Sequence, residues 1–440
     1  MDYIEYENGD IKYNLYEDGT ACVRSANRYK RGTLVIPGIV SYSNHIYRTT
    51  RIGWSALKDS WFEHVIIPDG VTTIENYAFS QCSYLKDVRI PDTIMHIGEE
   101  AFGRCYALKE IILPQSLHSI SRASFWMCRS LQSLSIPDGI TAIDHDAFCG
   151  CYALQDIKIP NTITYIGWRA FSHCKNPSIR IPKNVRKIGS QFLSHCSNLT
   201  SIIVDVENPY YDSRENCNAI IETTSNTIIR GCKHTTIPSS VYSIGSDAFM
   251  GMGITSINIP NNIRTIKEWA FAFNSSLTNI SIGNQVGSID YHAFHNCPEL
   301  VSIIVDSNNT IYDSRENCNA IIETRTNTLI IGCKNSTIPN SVIKIGEYAF
   351  WNCKTLSSII IPEGVTTIGR SAFWECSGLI SVIIPKSVIT IEDGAFMDCR
   401  SLQTIQYNGT SSEWHKISKG RDWHRNIYTT KIKCIDEVNL

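Results

Sequence analysis

Prolines at 68, 91, 114, 137 and 160 are separated by 23 residues each time, and Cys82, Cys105, Cys128, Cys151 and Cys174 keep the same step. One copy of the unit, residues 90–111, reads IPDTIMHIGEEAFGRCYALKEI. A strict period in the low twenties, with apolar residues at fixed phase, requires a stack of coils that bury one continuous core. Each coil then touches only its neighbours, so the core grows lengthwise. The usual division of 440 residues into domains of roughly 150 therefore does not apply.

Within a coil, Leu-x-x-Ile-x-Ile (residues 108–113 in one copy) is expected to be a strand with alternate side chains inward. Proline ends it, having no N–H for a ladder. The Val/Ile-x-x-Ile-Gly piece is a second short strand turned by glycine, and Glu-Glu-Ala-Phe-Gly-Arg-Cys is about one helical turn facing Ala, Phe and Cys to the core. Ten cysteines close that turn: Cys82, Cys105, Cys128, Cys151, Cys174, Cys196, Cys297, Cys353, Cys376 and Cys399. Stacked coils put equivalent side chains about 4.8 Å apart and parallel. A disulfide wants Cβ atoms at roughly 3.8 Å and converging. These ten read as a buried thiol ladder.

The rhythm changes at both ends and at two internal places. Residues 1–60 are a modified start and first irregular coil, with a hairpin expected around Glu17-Asp18-Gly19. Residues 61–407 are the repeat proper, and 408–440 a closing segment in which Trp414, Ile417 and Trp423 cover the last coil. Two insertions, about 205–235 and 306–336, add some 33 residues each to a coil. The stretch YDSRENCNAIIET, residues 211–223, returns unchanged at 312–324. The apolar runs flanking Thr-Ser-Asn or Arg-Thr-Asn, one at the end of the stretch and one just after it, read as a β-hairpin. With the hairpin centred between Thr224 and Ser225, Cys217 would face Cys232, and Cys318 would face Cys333. These pairs are the chain's disulfide candidates, with buried thiols as the alternative.

The repeated IPxxVxxIGxxAFxxCxxL resembles the BspA-like (Treponema-type) leucine-rich repeat family, from about residue 33 to 407. The resemblance implies a leucine-rich-repeat solenoid: a β-rich α/β repeat with parallel strands, short helical turns and two hairpin-bearing insertions. It also implies a bacterial or microbial surface protein that binds host or neighbouring-cell proteins, extracellular matrix included. The motif residues are core residues, so they specify fold rather than ligand.

A net charge of −2 with intermixed signs speaks against nucleic acid as the partner. No run approaches the roughly 18 apolar residues of a membrane span. The first residues, MDYIEYENGDIKYNLYEDG, lack a secretory pattern, which leaves the cytoplasm as the alternative to a cell-surface or secreted location. There is no GxxxxGK[ST], HExxH or GxSxG. His415 and His424 sit beside tryptophans without a supporting donor cluster, and Asp212-Ser213-Arg214 reads as a turn with an internal ion pair. No enzyme, cofactor or metal is expected.

Recognition is left to the surface, where two faces compete. On the strand face the outward residues are Asp87 and Arg89, Glu110 and Ile112, Ser133 and Ser135, Asp156 and Lys158, Ser178 and Arg180. Later strands offer a Ser/Ile strip, such as Ser302 with Ile304 and Ser358 with Ile360. Solenoids bind partners along such faces, although isoleucine also simply favours strands. The other face carries the residue after each phenylalanine: Trp126, Trp351, Trp374 and Met397. An aromatic strip can serve a protein hot spot or stack on sugar rings, or it can pack under neighbouring turns. A monomeric, non-catalytic adhesion protein with a protein ligand is expected first. The alternatives are a carbohydrate-binding surface protein and an intracellular interaction scaffold.

Overall fold

The computed structural model describes residues 3–427 and 430–437, so the last residues of the expected 408–440 segment lie outside the described ones. It divides into two compact units, one ending at Thr224 and the other beginning at Ser225. Both are built from the same coil.

Each coil contributes to two parallel sheets. The long-strand sheet comes from the Leu-x-x-Ile-x-Ile segments, because the β-branched run alternates buried and exposed residues. In the first unit Thr33–Val35, His64–Ile66 and Asp87–Arg89 pair in parallel, each one coil from the next. Ser133–Ser135 pairs with Asp156–Lys158, and Ser178–Ile181 with Ser201–Val204. In the second unit Ser256–Ile259, Asn279–Ile282 and Ser302–Val305 form one run, and Ser358–Ile360 through Lys431–Lys433 another. The short-strand sheet uses two residues per coil, as in Ser119–Ile120, Ala142–Ile143, Tyr165–Ile166 and Lys187–Ile188.

One expected strand is missing. Residues 108–113 form no strand, only a single bridge from Ile112 to Ser135, so the ladder is open beside Asp87–Arg89. A second interruption follows Asp156–Lys158, where the coil is one residue short and Pro177 brings no N–H.

The third side of the coil corrects the expected helical turn. Around Phe79, the N–H groups of Ala78, Ser80 and Cys82 bond back three residues within the coil, at 3.3, 2.9 and 3.2 Å. The alternate N–H groups, of Tyr77, Phe79 and Gln81, reach the carbonyls of Glu99, Ala101 and Gly103 on the next coil at 2.8, 2.7 and 2.7 Å. This alternation needs left-handed residues on both sides of the phenylalanine, here Tyr77 (φ 61°) and Gln81 (φ 65°). A helix would keep every N–H inside its own coil. The only α-helix among the described residues is Ser411–Lys416, opened by a Thr410–Glu413 capping box.

The core is columnar. Phe79, Phe102, Phe125, Phe148 and Phe171 stack in sequence at centroid distances of 4.9–5.5 Å. In the second unit Phe350, Phe373 and Phe396 do the same, and Trp423 closes that column edge-on at 6.3 Å. Trp414, Ile417 and Trp423 are all buried. The thiol ladder runs beside the rings. Cys105 Sγ donates to Phe79 O (3.2 Å), Cys128 to Phe102 O (3.2 Å) and Cys399 to Phe373 O (3.0 Å). At Cys196 the same bond reaches Phe171 O at 3.2 Å, with Leu193 in the phenylalanine's slot. Where Asn274 replaces cysteine, its amide donates to Phe249 O at 2.8 Å.

At the start, Tyr3–Asn8, Ile11–Tyr16 and Thr20–Ala26 form an antiparallel meander. Its turn is at Asp18-Gly19, as the sequence suggests, and Asp18 Oδ1 accepts from Thr20 N at 2.9 Å. Thr20–Ala26 then pairs in parallel with His45–Ile52, which leads into Thr73–Ile74 of the short-strand sheet.

The two identical stretches do the same work. Tyr211 Oη accepts from Ile188 N, and Tyr312 Oη from Ile289 N, both at 3.2 Å. Ser213 Oγ accepts from Val204 N at 3.1 Å and Ser314 Oγ from Val305 N at 3.0 Å. Each insertion thus caps the last strand of two sheets, the tyrosine on the short-strand side and the serine on the long-strand side, in place of a following coil. In the second unit it then starts a new sheet through the expected hairpin, with Ile321–Glu323 antiparallel to Thr328–Ile331. Gly332 follows, standing where other coils place a phenylalanine. A Cβ there would lie 2.2 Å from the Phe350 ring. Gly332→Ala must therefore push Phe350 out of its column. Overpacking of this kind costs about 1–3 kcal/mol, which a lowered denaturation midpoint of the full chain will report; an unchanged midpoint would refute the slot's role.

Candidate binding surfaces

The long-strand face presents the outward residues predicted for it. Asp87 is half-buried, and Arg89, Glu110, Asp156, Lys158 and Arg180 are exposed. The structure brings only some of them together. Asp87, Arg89 and Glu110 line one cleft of about 490 Å³, with Asp69, Asp92 and the apolar residues Ile90, Ile111 and Ile112. The open ladder at 110–112 lies in this cleft, and Ile112 is 82% exposed. His64 Nδ1 meets Asp87 at 2.6 Å. Arg89 and Glu110 have no ion-pair partner among the described residues. Lys158 and Asp156 face each other at 4.0 Å, and Arg180 is held by Asp205 at 2.7 Å. These three stand outside the cleft.

On the face after the phenylalanines, the predicted aromatic residues separate. Trp126 lies alone in the first unit with the Arg104 guanidinium 4.6 Å above its ring. Trp351 and Trp374 stack at 4.8 Å and 4° in the second unit. Neighbours that spacing from phenylalanine did not single out join them. His295 approaches Trp351 on its other side at 3.4 Å. Trp269 stacks on His292 at 4.5 Å, and Tyr291 on Tyr348 at 5.6 Å. The missed signal is a second row, two residues before each phenylalanine: Trp269, His292 and Tyr348 occupy it on successive coils. Both faces of Trp351 are covered, so it offers an edge rather than the open ring face that a sugar needs.

The disulfide candidates are not bridged. In the second insertion the hairpin register slips between Ile321 and Ile322, which moves Cys318 out of line with Cys333. Cys318 Sγ turns to Ala320 O at 3.8 Å and Cys333 Sγ to Asn319 O at 3.3 Å. Cys217 and Cys232 of the first insertion are buried thiols as well; Cys217 Sγ points to Ala219 O, and Thr235 Oγ1 meets Cys232 Sγ, both at 3.8 Å. Burial pushes the Cys82, Cys128 and Cys353 thiols up to about 12, so thiolate chemistry is suppressed. Among the described residues no three His, Cys, Asp or Glu side chains group as metal donors do. Among the described residues no helix is long and apolar enough to cross a membrane. His415 Nδ1 bonds Ser411 O, and His424 stacks on Trp423.

With three-sided coils, stacked phenylalanines and a bare sheet face in view, comparison with known proteins places the chain. The profile described as BspA type leucine rich repeat region matches residues 50–143, 118–225, 216–321 and 330–420, and the chain belongs to that family. A solved leucine rich cell surface protein from Faecalibacterium prausnitzii A2-165 is similar over 95% of this chain and 98% of its own. It is 28% identical, with a TM-score of 0.61. A leucine-rich repeat protein from Bacteroides ovatus ATCC 8483 shares the fold at 23% identity, covering 98% of this chain and 99% of its own, with a TM-score of 0.51. No curated protein matches the sequence.

At pH 8 the native chain should react negligibly with an alkylating reagent, whereas all seventeen cysteines should react in denaturant without prior reduction. Intact mass reads both. A mass that needs reductant before Cys318 and Cys333 are labelled would restore the bridge.

Proposed function

We propose that the chain is a non-catalytic adhesion protein of the cell surface that grips a partner protein with the long-strand face of its first unit. The observation that carries this reading is the cleft itself. Asp87, Arg89 and Glu110 converge there beside the exposed Ile112, joining apolar contact area to two charges, Arg89 and Glu110, without ion-pair partners among the described residues. Such a combination suits a protein ligand, since apolar contact supplies affinity and charge supplies specificity. Membership of a family built on solenoid surfaces, and the cell-surface relative from F. prausnitzii, support the placement.

Four carboxylates, from Asp69, Asp87, Asp92 and Glu110, face one arginine, Arg89. The partner segment is therefore basic, and extracellular-matrix proteins of a host or neighbouring cell, which present basic stretches, are the first class to screen. Binding is expected to weaken with salt. Asp87→Lys combined with Glu110→Lys should weaken it tenfold or more, on the order of 1.4 kcal/mol, while Trp374→Ala leaves it unchanged. Surface plasmon resonance against purified matrix proteins at two ionic strengths measures this. Equal binding by the cleft variant and the native chain would remove the cleft from the reading. Failure of the protein to label on intact native cells would remove the surface location.

A further inference from the structure

One corner of the first unit carries rings and cations that neither the core nor the cleft uses. It lies where each turn passes its ladder cysteine on the way to the long strand. Directly after that cysteine, four successive coils place Tyr106, Arg129, Tyr152 and Lys175, so ring and cation alternate. The Arg129 guanidinium lies 4.7 Å from the Tyr106 ring centroid and 5.9 Å from that of Tyr152. Earlier coils repeat the arrangement. Arg31 lies 5.8 Å over Trp61 and 4.9 Å over Tyr84, and Tyr29 meets Trp61 edge-on at 5.4 Å. The corner thus holds two ring–cation–ring units.

These groups face water. Tyr106 is 36% and Tyr152 38% exposed, Trp61 39% and Tyr84 42%. Among the described residues no ring stacks flat on any of them; their ring contacts are edge-on. Arg31 and Arg129 are exposed and have no ion-pair partner among the described residues, and the same holds for Arg28, Lys109 and Lys175 on the same turns. Of the carboxylates on these turns, Glu63 is bonded to Lys86, which leaves Asp59 against the cations. A ring contact occupies the plane of a guanidinium and leaves its N–H edge directed outward, where an anion can meet it.

We propose that this corner binds an anionic polysaccharide in which acidic sugars alternate with neutral ones. The alternation carries the choice. Tyrosines recur on every second coil with a cation between them, a repeat of about 9.6 Å, close to the advance of one disaccharide along an extended chain. The apolar C–H face of a neutral sugar packs on a tyrosine ring while its hydroxyls reach the phenolic oxygen. The carboxylate of the next sugar meets the arginine N–H edge. An acidic peptide advances roughly 3.3 Å per residue and falls out of register with the coils. A single-stranded nucleic acid presents a base and a phosphate at every nucleotide, where this corner offers ring and cation in turn. The corner is separate from the cleft on the strand face, whose surplus charge is negative, and stands whether or not that cleft takes a partner.

The test measures binding of the full chain to hyaluronate oligosaccharides, which carry one carboxylate per disaccharide, by isothermal titration calorimetry. Oligogalacturonate of equal length, with a carboxylate on every sugar, polyglutamate and single-stranded oligo-dT are the comparisons. Hyaluronate should bind tightest and lose affinity as salt rises. Arg129→Gln should weaken it about tenfold and flatten the salt dependence. Tyr106→Ser combined with Tyr152→Ser should weaken it by a similar factor and keep the salt dependence, which separates ring from charge. Asp87→Asn combined with Glu110→Gln, in the cleft, should leave it unchanged. Absence of hyaluronate binding, unchanged binding in Arg129→Gln, or equal or tighter binding of any comparison polymer overturns the proposal, and loss of binding in the cleft variant overturns the separate site. Should the tyrosine variant fail to fold, Arg31→Gln combined with Arg129→Gln decides: retained binding overturns the corner.

Discussion

The structure depends on main-chain hydrogen bonds that leave each coil for the next on three sides. Two sides use ordinary parallel strands. The third uses alternating right- and left-handed residues, so that every second N–H leaves the turn and points at the next coil. A left-handed residue other than glycine costs roughly 1–2 kcal/mol, and here the sites are taken by Tyr77, Gln81, Arg104, Met127 and their equivalents. That cost is tolerable only when both the turn bond and the inter-coil bond form together. The period of 23 keeps all three sides aligned; the 22-residue coil after Asp156–Lys158 still pairs Tyr165 with Lys187 on the short-strand side and gives up the long-strand ladder. Where an insertion intervenes, the chain adds its own cap: the tyrosine and serine hydroxyls of the insertions take the bonds that a following coil would have made.

The same constraint explains the cysteines. The phenylalanine carbonyl already accepts the cysteine N–H three residues on, as Phe79 O does from Cys82 N at 3.2 Å. Its second lone pair faces the next coil's core, where water is absent. A small side chain with a weak donor satisfies it without widening the stack. Cysteine does so repeatedly, and Asn274 shows that the slot asks for a donor rather than for sulfur. A structural role this complete also accounts for thiols pushed up to about 12.

Much of this was legible in the sequence, since periodicity reports burial. Strand positions, the inward set, the thiol ladder, the Asp18-Gly19 hairpin and the insertion hairpin all follow from spacing. What spacing misreads is backbone conformation. Glu-Glu-Ala-Phe-Gly-Arg carries helix-forming residues and an Ala-Phe pair at core phase, and reads as a helical turn; the left-handed residues are imposed from the next coil. Registers fail for a similar reason. A single bulge at Ile321 moves Cys318 away from Cys333, and nothing in the identical stretches announces it. The open ladder at 110–112 is equally silent in a coil whose sequence looks regular.

Surface function is harder to read because outward positions answer to two demands. An outward residue on a strand is free of the core, so its identity carries information about partners or about nothing. A residue next to the phenylalanine is only half free, since coils less than 6 Å apart oblige large rings to stack on one another. Trp351 spends both its faces in this way, on His295 and Trp374. The strand face is under no such obligation. Its side chains stand off the sheet at strand spacing, and among the described residues Arg89 and Glu110 have no ion-pair partner while Arg180 and Asp205 find each other. Outward identity is therefore least constrained on the strand face, and the open ladder beside Asp87–Arg89 marks the place in the first unit where the sheet itself demands least.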